Sequence, residues 1–381
     1  MLILHMIEHS TRWIVGCMTG TSLDGLDAAL VEIKGCGRKI SAHFAGLVSR
    51  PLGTLHDLLC ALATGEPRPA LDFVSAARRL GELHAEAVSE LCAGHLPRDA
   101  RLHLVVAHGQ TIWHAPDGLR GDEMGGVSWQ LFDPWPLVRC MKVPVLYDLR
   151  QADLIAGGQG APITPLADAV LYQDQADLIV NLGGICNVTV LAQMPWGYDL
   201  CPCNLLIDRV VQTLWPDLRF DRDGCRAASG HAVASMFESL IADLPADNGL
   251  PRSMGRESYC HGEIERIVRA AATDYTPCDI VASAVEAVAQ AIAAAIHRTG
   301  SKQVVLAGGG TGNQQLVGSV RGRCGPEVQV RMSDDFGIPS QAREAVCFAV
   351  LGALSEAGIP VTQAHTTGAR DPGRAGVWAY P

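Results

Sequence analysis

Lysine is nearly missing from this chain of 381 residues: Lys34, Lys39, Lys142 and Lys302 are all there are. None of the four follows a glycine, so a P-loop, which needs Gly-Lys, is excluded as a route to phosphate binding. There is no HExxH pair for zinc hydrolysis. Gly20-Thr21-Ser22-Leu23-Asp24 falls short of a GxSxG nucleophile elbow, because Asp24 stands where glycine is required. Long apolar runs are absent too; residues 280–296 carry Glu286 and Gln290 and read as too short for a membrane span. The opening MLILHMIE has no basic region and no small-residue cleavage site, so no secretory leader is expected. Positive charge is in deficit: 30 basic against 40 acidic residues leave a net charge of -10. A nucleic-acid partner or an anionic membrane surface is therefore not expected.

What is present describes a globular chain. The hydrophobic share is 48%, which argues against disorder beyond the ends, and the length suits two domains or one large α/β domain with an added lobe. Thirteen scattered cysteines, an odd number, read as reduced thiols in the cytoplasm rather than a disulfide framework. Apolar segments at 12–18, 102–107, 141–147, 177–182, 187–192 and 303–307 read as strands, with 26–34 as the hairpin partner of the first. Helical periodicity covers 55–64, 71–93, 205–214, 229–244, 279–298 and 341–356, with another helix from Asn313. Strands alternate with helices, so the class is α/β. Each half opens with a strand, a Gly/Thr/Ser turn and a second strand, and such duplicated halves usually enclose a ligand cleft.

Three Gly-rich turns follow apolar strands: Gly20-Thr21-Ser22-Leu23-Asp24-Gly25, Leu182-Gly183-Gly184 and Gly308-Gly309-Gly310-Thr311-Gly312-Asn313. Backbone N–H groups at such turns can cradle phosphate oxygens, and the carboxyl ends of strands are where open α/β sheets bind ligands. Asp24 and Asp27 flank the first turn. Asp199 is expected in a loop between a strand and a helix, where a carboxylate serves as general base, as a Mg²⁺ partner through water, or simply as a helix N-cap. Cys201-x-Cys203 lacks a convincing partner pair for a metal, so structural thiols are the better reading. His108, Gln110, Thr111 and His114 cluster at a strand end, suited to a hydroxylated ligand or to ordinary surface roles.

The string Gly16-Cys17-Met18-Thr19-Gly20-Thr21-Ser22-Leu23-Asp24-Gly25-Leu26-Asp27 resembles the signature of the anhydro-N-acetylmuramic acid kinases. So do AHGQTIWH (107–114), DLRQADLIAGGQGAP (148–162), NLGGICNV (181–188), FDRDGCRAASG (220–230), SMGRE (253–257), AGGGTGN (307–313) and DFGIP (335–339), in one order along nearly the whole chain. The resemblance implies an α/β, two-lobed actin/sugar-kinase-like fold, a duplicated ribonuclease-H-like unit with a central ATP cleft. It implies one lobe at 1–145 plus about 360–381 and a second at 146–359. ATP would be held by Gly20, Thr21, Ser22, Leu23, Asp24, Gly25, Leu26 and Asp27, by Gly183, Gly184 and Asn187, and by Gly308, Gly309, Gly310 and Asn313. His108, Gln110, Thr111, Gly158, Gln159 and Glu344 would border the sugar, Asp24 would meet Mg²⁺ through water, and Asp199 would be the catalytic base. The implied reaction is ATP-dependent opening and phosphorylation of 1,6-anhydro-N-acetylmuramic acid in the cytoplasm, with a homodimer a compatible assembly. A kinase for another anhydrosugar, or a non-catalytic nucleotide or muropeptide binder, stays open. The chain departs from the family pattern Asp-x-Gly-Pro-Gly-Asn by carrying Cys201 and Cys203 where both glycines stand, and from Asp-Phe-Arg-Arg-Arg-Asp by carrying Gln151 and Ala152.

Overall fold

A computed structural model describes residues 11–20, 23, 25–116, 125–236, 240, 253–254 and 261–381. The first sheet begins with an antiparallel meander of β1 (Arg12–Thr19), β2 (Gly25–Lys34) and β3 (Ser41–Pro51). It continues with β4 (Leu102–Ala107), parallel to β1; the hairpin β5 (Gln110–Ala115) and β6 (Val127–Leu131) stands apart as its own two-stranded sheet. β7 (Val145–Tyr147) then runs parallel to β4. The second sheet repeats the scheme. β8 (Leu178–Leu182), β9 (Ile185–Val190) and β10 (Trp196–Pro202) form the meander, while β11 (Gln303–Ala307) and β12 (Gln329–Met332) add in parallel beside β8. The short β13 (Val377–Ala379) returns to pair with β7. The strand orders β3-β2-β1-β4-β7 and β10-β9-β8-β11-β12 are therefore equivalent, so the fold is a duplicated α/β unit of the actin/sugar-kinase-like type.

Two helices fill the space between the sheets. Pro165–Tyr172 and Arg343–Glu356 share one buried cluster with Ile14, Ala29 and Val106 of the first sheet and Ile179 and Val305 of the second. Gly16 makes the close approach possible: a Cβ there would stand 1.9 Å from the carbonyl oxygen of Ala345. The helix Pro277–Thr299 has textual ends. Thr276 and Asp279 form a capping box, Pro277 opens it and Gly300 closes it in the left-handed region. At 23 residues it is longer than the apolar stretch in the sequence and apolar enough to cross a membrane by length and composition, yet 72% of its most apolar window is buried inside the protein.

Several elements differ from the sequence expectation. The segment 141–147 is not one strand: Met141 ends the helix Trp135–Met141, Lys142 turns left-handed at φ 57, and only Val145–Tyr147 pairs. A short helix, Cys225–Ala228, precedes position 229, which is a turn; of the expected helix 229–244, residues 237–239 and 241–244 lie outside the described residues. β3 is an edge strand with little regular burial, and β5 alternates in burial but turns the polar Gln110 and His114 inward, so apolar spacing marks neither.

Candidate active site

The carboxyl ends of β1, β8 and β11 converge on one cavity of about 680 Å³. Gly20, Gly183, Gly184, Gly308 and Gly309 line it, as do Gly25, Leu26 and Asp27 from β2. Thr21, Ser22 and Asp24 lie outside the described residues. The turn requires glycine at 308: φ is 89° there, and a Cβ would meet the side-chain oxygen of Asn181 at 2.7 Å. Two residues of these turns work as scaffolding. Leu23 is fully buried among Leu52, Leu59 and Leu80, and the Asn313 side chain accepts the Leu316 N–H at 3.0 Å to cap the helix Gln314–Cys324. Gly310 packs against Leu182.

Asp199 occupies a strand, not a loop. It lies in β10 opposite Asn187 of β9, and both side chains border the cavity. The pairing register slips between Asp199 and Cys201. Strict alternation would put Cys201 on the same face as Asp199; the slip lets Cys201 join the core cluster with Tyr198 and Leu200 while Asp199 faces the cavity. The Asp199 carboxylate accepts the Met254 N–H at 2.7 Å. A helix-capping role is excluded, since the N-cap of the helix Asn204–Leu214 is Cys203.

The two cysteines that replace the family's glycines are accommodated. Cys203 has φ -117, outside the left-handed region that favours glycine, and Cys201 and Cys203 are 1% and 0% exposed. Burial pushes the Cys203 thiol well above its ordinary range, and a hydrogen bond with Cys201 followed by burial does the same to Cys186. Cys203 and Cys186 stay protonated, and with the buried Cys201 they act as packing groups. Cys201→Gly and Cys203→Gly should each cost roughly 1–3 kcal/mol in chemical denaturation and leave kcat no higher. A rise in kcat would show instead that the cysteines hinder the site.

On the opposite wall stand His108, Thr111, His114 and an arginine that motif reading passed over. Arg150 donates from Nη2 to His108 Nε2 at 3.0 Å and from Nη1 to the Gly160 carbonyl at 2.8 Å. With Nε2 accepting, the His108 proton sits on Nδ1, 2.7 Å from the carbonyl of Gly109. Burial, then the Arg150 charge, lowers His108 to about 3. His114, between the hydroxyls of Ser128 at 3.0 Å and Ser253 at 2.8 Å, is lowered to about 3 for the same reasons. Burial also lowers Arg150, but Asp199 and Glu344 on the cavity wall support its charge. Glu344 itself is raised by burial, against the pull of Arg343 and Arg150. Gln110 does not line the cavity; its amide braces the Gly20 carbonyl at 3.3 Å. Gly158 and Gln159 do not line it either: their N–H groups bond to Asp153 and Thr367. The signal for Arg150 was its place at a strand end, in Asp148-Leu149-Arg150, directly after β7.

These neutral histidines set an acid limit. His84 is lowered by burial to about 4, and His108 and His114 to about 3, all below an ordinary value near 6.5. As pH falls below about 6.5 the unfolded chain takes up protons that the folded chain refuses. Stability from this source is thus complete above that pH and declines toward pH 4 to 3, by about 1.4 kcal/mol per pH unit for each histidine. Denaturant unfolding followed from pH 7 to pH 5 should show the decline; a flat profile would contradict the buried neutral assignment.

A family profile described as anhydro-N-acetylmuramic acid kinase matches residues 12–381. The chain belongs to the anhydro-N-acetylmuramic acid kinase family. Kinases of that name from Salinibacter ruber and Streptomyces coelicolor are 33% and 35% identical to it, covering 97% and 94% of this chain and 96% and 91% of their own. Among solved structures, component A of (R)-2-hydroxyglutaryl-CoA dehydratase from Acidaminococcus fermentans is 14% identical, with TM-score 0.47 over 91% of this chain and 99% of that one. A ROK family glucokinase from Streptomyces griseus, in complex with glucose and AMPPNP, is 12% identical, with TM-score 0.39 over 89% and 98%. As a member of the kinase family, the chain presents a single cavity bordered by all three Gly turns and by Asp199.

Proposed function

We propose that this protein uses ATP to open 1,6-anhydro-N-acetylmuramic acid by hydrolysis and to phosphorylate its 6-oxygen, giving N-acetylmuramate 6-phosphate in the cytoplasm. The observation that carries this is the placing of Asp199 in the same cavity as the three phosphate-type turns. Asp199 takes a proton from a water that attacks the anomeric carbon, the bond from that carbon to O6 breaks, and O6 accepts the γ-phosphoryl group. The Met254 N–H orients the carboxylate, whose charge in turn supports that of Arg150. Phosphoryl transfer asks for positioning and charge neutralisation, which backbone N–H groups at Gly turns supply.

Mg²⁺ belongs to this reading as a charge-neutralising partner of the phosphates. Such an ion keeps its waters and takes one or two carboxylates. Among the described residues no cluster of three or more His, Cys, Asp or Glu is built to hold a metal, but Asp27, Asp199 and Glu344 border the cavity, and Asp24 would reach the ion through water. The fit is to an ion that arrives with the nucleotide. The proposal keeps two lobes, 1–145 plus about 360–381 and 146–359; β7 of the first sheet runs across the 145/146 boundary, and the helix Arg343–Glu356 shares its buried cluster with both sheets. A homodimer is carried along as compatible. The test is a coupled ADP-release assay across a panel of anhydrosugars. ADP release dependent on the muramic sugar is the expected result; release with a different anhydrosugar alone would reassign the substrate, and release with none would leave a binding protein.

A further inference from the structure

The sugar proposed above differs from a neutral anhydrosugar by a carboxylate on its lactyl ether, and a cavity bordered by Asp27, Asp199 and Glu344 repels that charge unless a cation meets it. Among the described residues two cationic side chains line the cavity, Arg50 and Arg150, since His108 and His114 are neutral. Arg150 is committed. It spends its guanidinium on His108 and Gly160 and lies in the field of four carboxylates, Asp199, Glu344, Asp148 and Asp153.

Arg50 is differently placed. It stands near the end of β3 opposite Leu26, beside the first Gly turn, and shares the cavity wall with Ala63, Thr111 and Trp113. Glu90 bonds one of its terminal nitrogens, and Glu86 lies 3.7 Å from the other. Both glutamates are largely exposed, so these pairs aim the side chain rather than neutralise it. Among the described residues the Arg50 Nε is buried without a hydrogen-bond partner. A buried donor with no acceptor costs free energy that a ligand oxyanion would return.

We propose that Arg50 is a specificity-determining residue that binds the sugar's carboxylate. The inference rests on the kinase reading above. Arg suits the role because its planar fork meets a carboxylate with two parallel bonds, which Lys cannot do. The γ-phosphate is the competing oxyanion, but the Gly turns already offer that group its donors.

The test compares the free acid of 1,6-anhydro-N-acetylmuramic acid with its neutral lactyl amide. Wild type should prefer the acid in kcat/KM by on the order of 10²-fold. Arg50→Gln should collapse that preference to within a few-fold and leave the KM for ATP unchanged, and Arg50→Lys should keep part of it. Arg50 is half-exposed and ends an edge strand, and Arg50→Lys guards against loss of folding in the glutamine variant. A wild type with no preference, or an Arg50→Gln enzyme that keeps it, overturns the proposal. Equal losses on both sugars with a raised KM for ATP overturn it too, and assign Arg50 to the nucleotide. A wild type that turns over neither sugar sinks the kinase reading instead, so the two failures are separable.

Discussion

Asp199→Asn should lower kcat by on the order of 10²–10⁴-fold, the usual cost of losing a general base, with little change in ATP affinity. The substitution is close to isosteric, and the asparagine carbonyl can still accept the Met254 N–H that Asp199 accepts at 2.7 Å. Position 199 lies within a paired strand, so backbone support does not depend on the charge. What disappears is the capacity to take a proton, together with the negative charge that supports Arg150. Steady-state kinetics with both substrates varied separates these effects from binding. A variant that keeps most of its kcat would remove Asp199 from the chemistry. A variant whose KM for the sugar rises while kcat stays level would make it a binding residue.

Arg343→Met should cost about 3–5 kcal/mol of folding free energy, a large part of what a domain of this kind has to spare. Arg343 and Asp168 are 1% and 0% exposed. The guanidinium donates from Nε to one carboxylate oxygen at 2.9 Å and from Nη2 to the other, and reaches the Thr164 hydroxyl at 3.3 Å. Thr189 of β9 donates to the same carboxylate at 2.8 Å. The pair thereby ties the first turn of the helix Arg343–Glu356 to the helix Pro165–Tyr172 and the second sheet. Removing the arginine alone leaves a buried carboxylate with, among the described residues, a hydroxyl and a thiol for partners. Replacing both, as Arg343→Met with Asp168→Leu, should recover much of the loss, because two apolar groups of similar bulk need no solvation. Denaturant midpoints of the single and double variants check this. A single variant within about 1 kcal/mol of wild type would mean that the pair contributes orientation and little stability.

The parts of this architecture written in local sequence are legible from the residues alone. Apolar runs ending in Gly183-Gly184 or in Gly308-Gly309-Gly310 announce strand-to-turn junctions, and three such junctions imply a shared cleft. Their convergence on one cavity is long-range geometry that the turns suggest but do not specify. Thr276, Pro277 and Gly300 likewise mark a helix by their own chemistry. Side-chain partnerships were not readable. The Arg343–Asp168 pair spans 175 positions, Met254 reaches Asp199 across 55, and Arg150 reaches His108 across 42. Nothing in residue spacing encodes such contacts. The strand context of Asp199 was missed because Gly197, Pro202 and Asn204 read as loop residues, whereas β9 supplies the pairing that overrides them. Asn313 illustrates the reverse: a polar residue in a Gly-rich turn looked like a ligand contact, and its side chain is used to start a helix.

The central claim is that one cavity couples water attack on an anhydro ring to phosphoryl transfer. Mass spectrometry of the product formed from Mg·ATP and 1,6-anhydro-N-acetylmuramic acid tests it most directly. A single product heavier than the sugar by one water and one phosphoryl group, formed in step with ADP, is the predicted result. ADP formed with the sugar unchanged, or a sugar that gains a phosphoryl group without water, would contradict it.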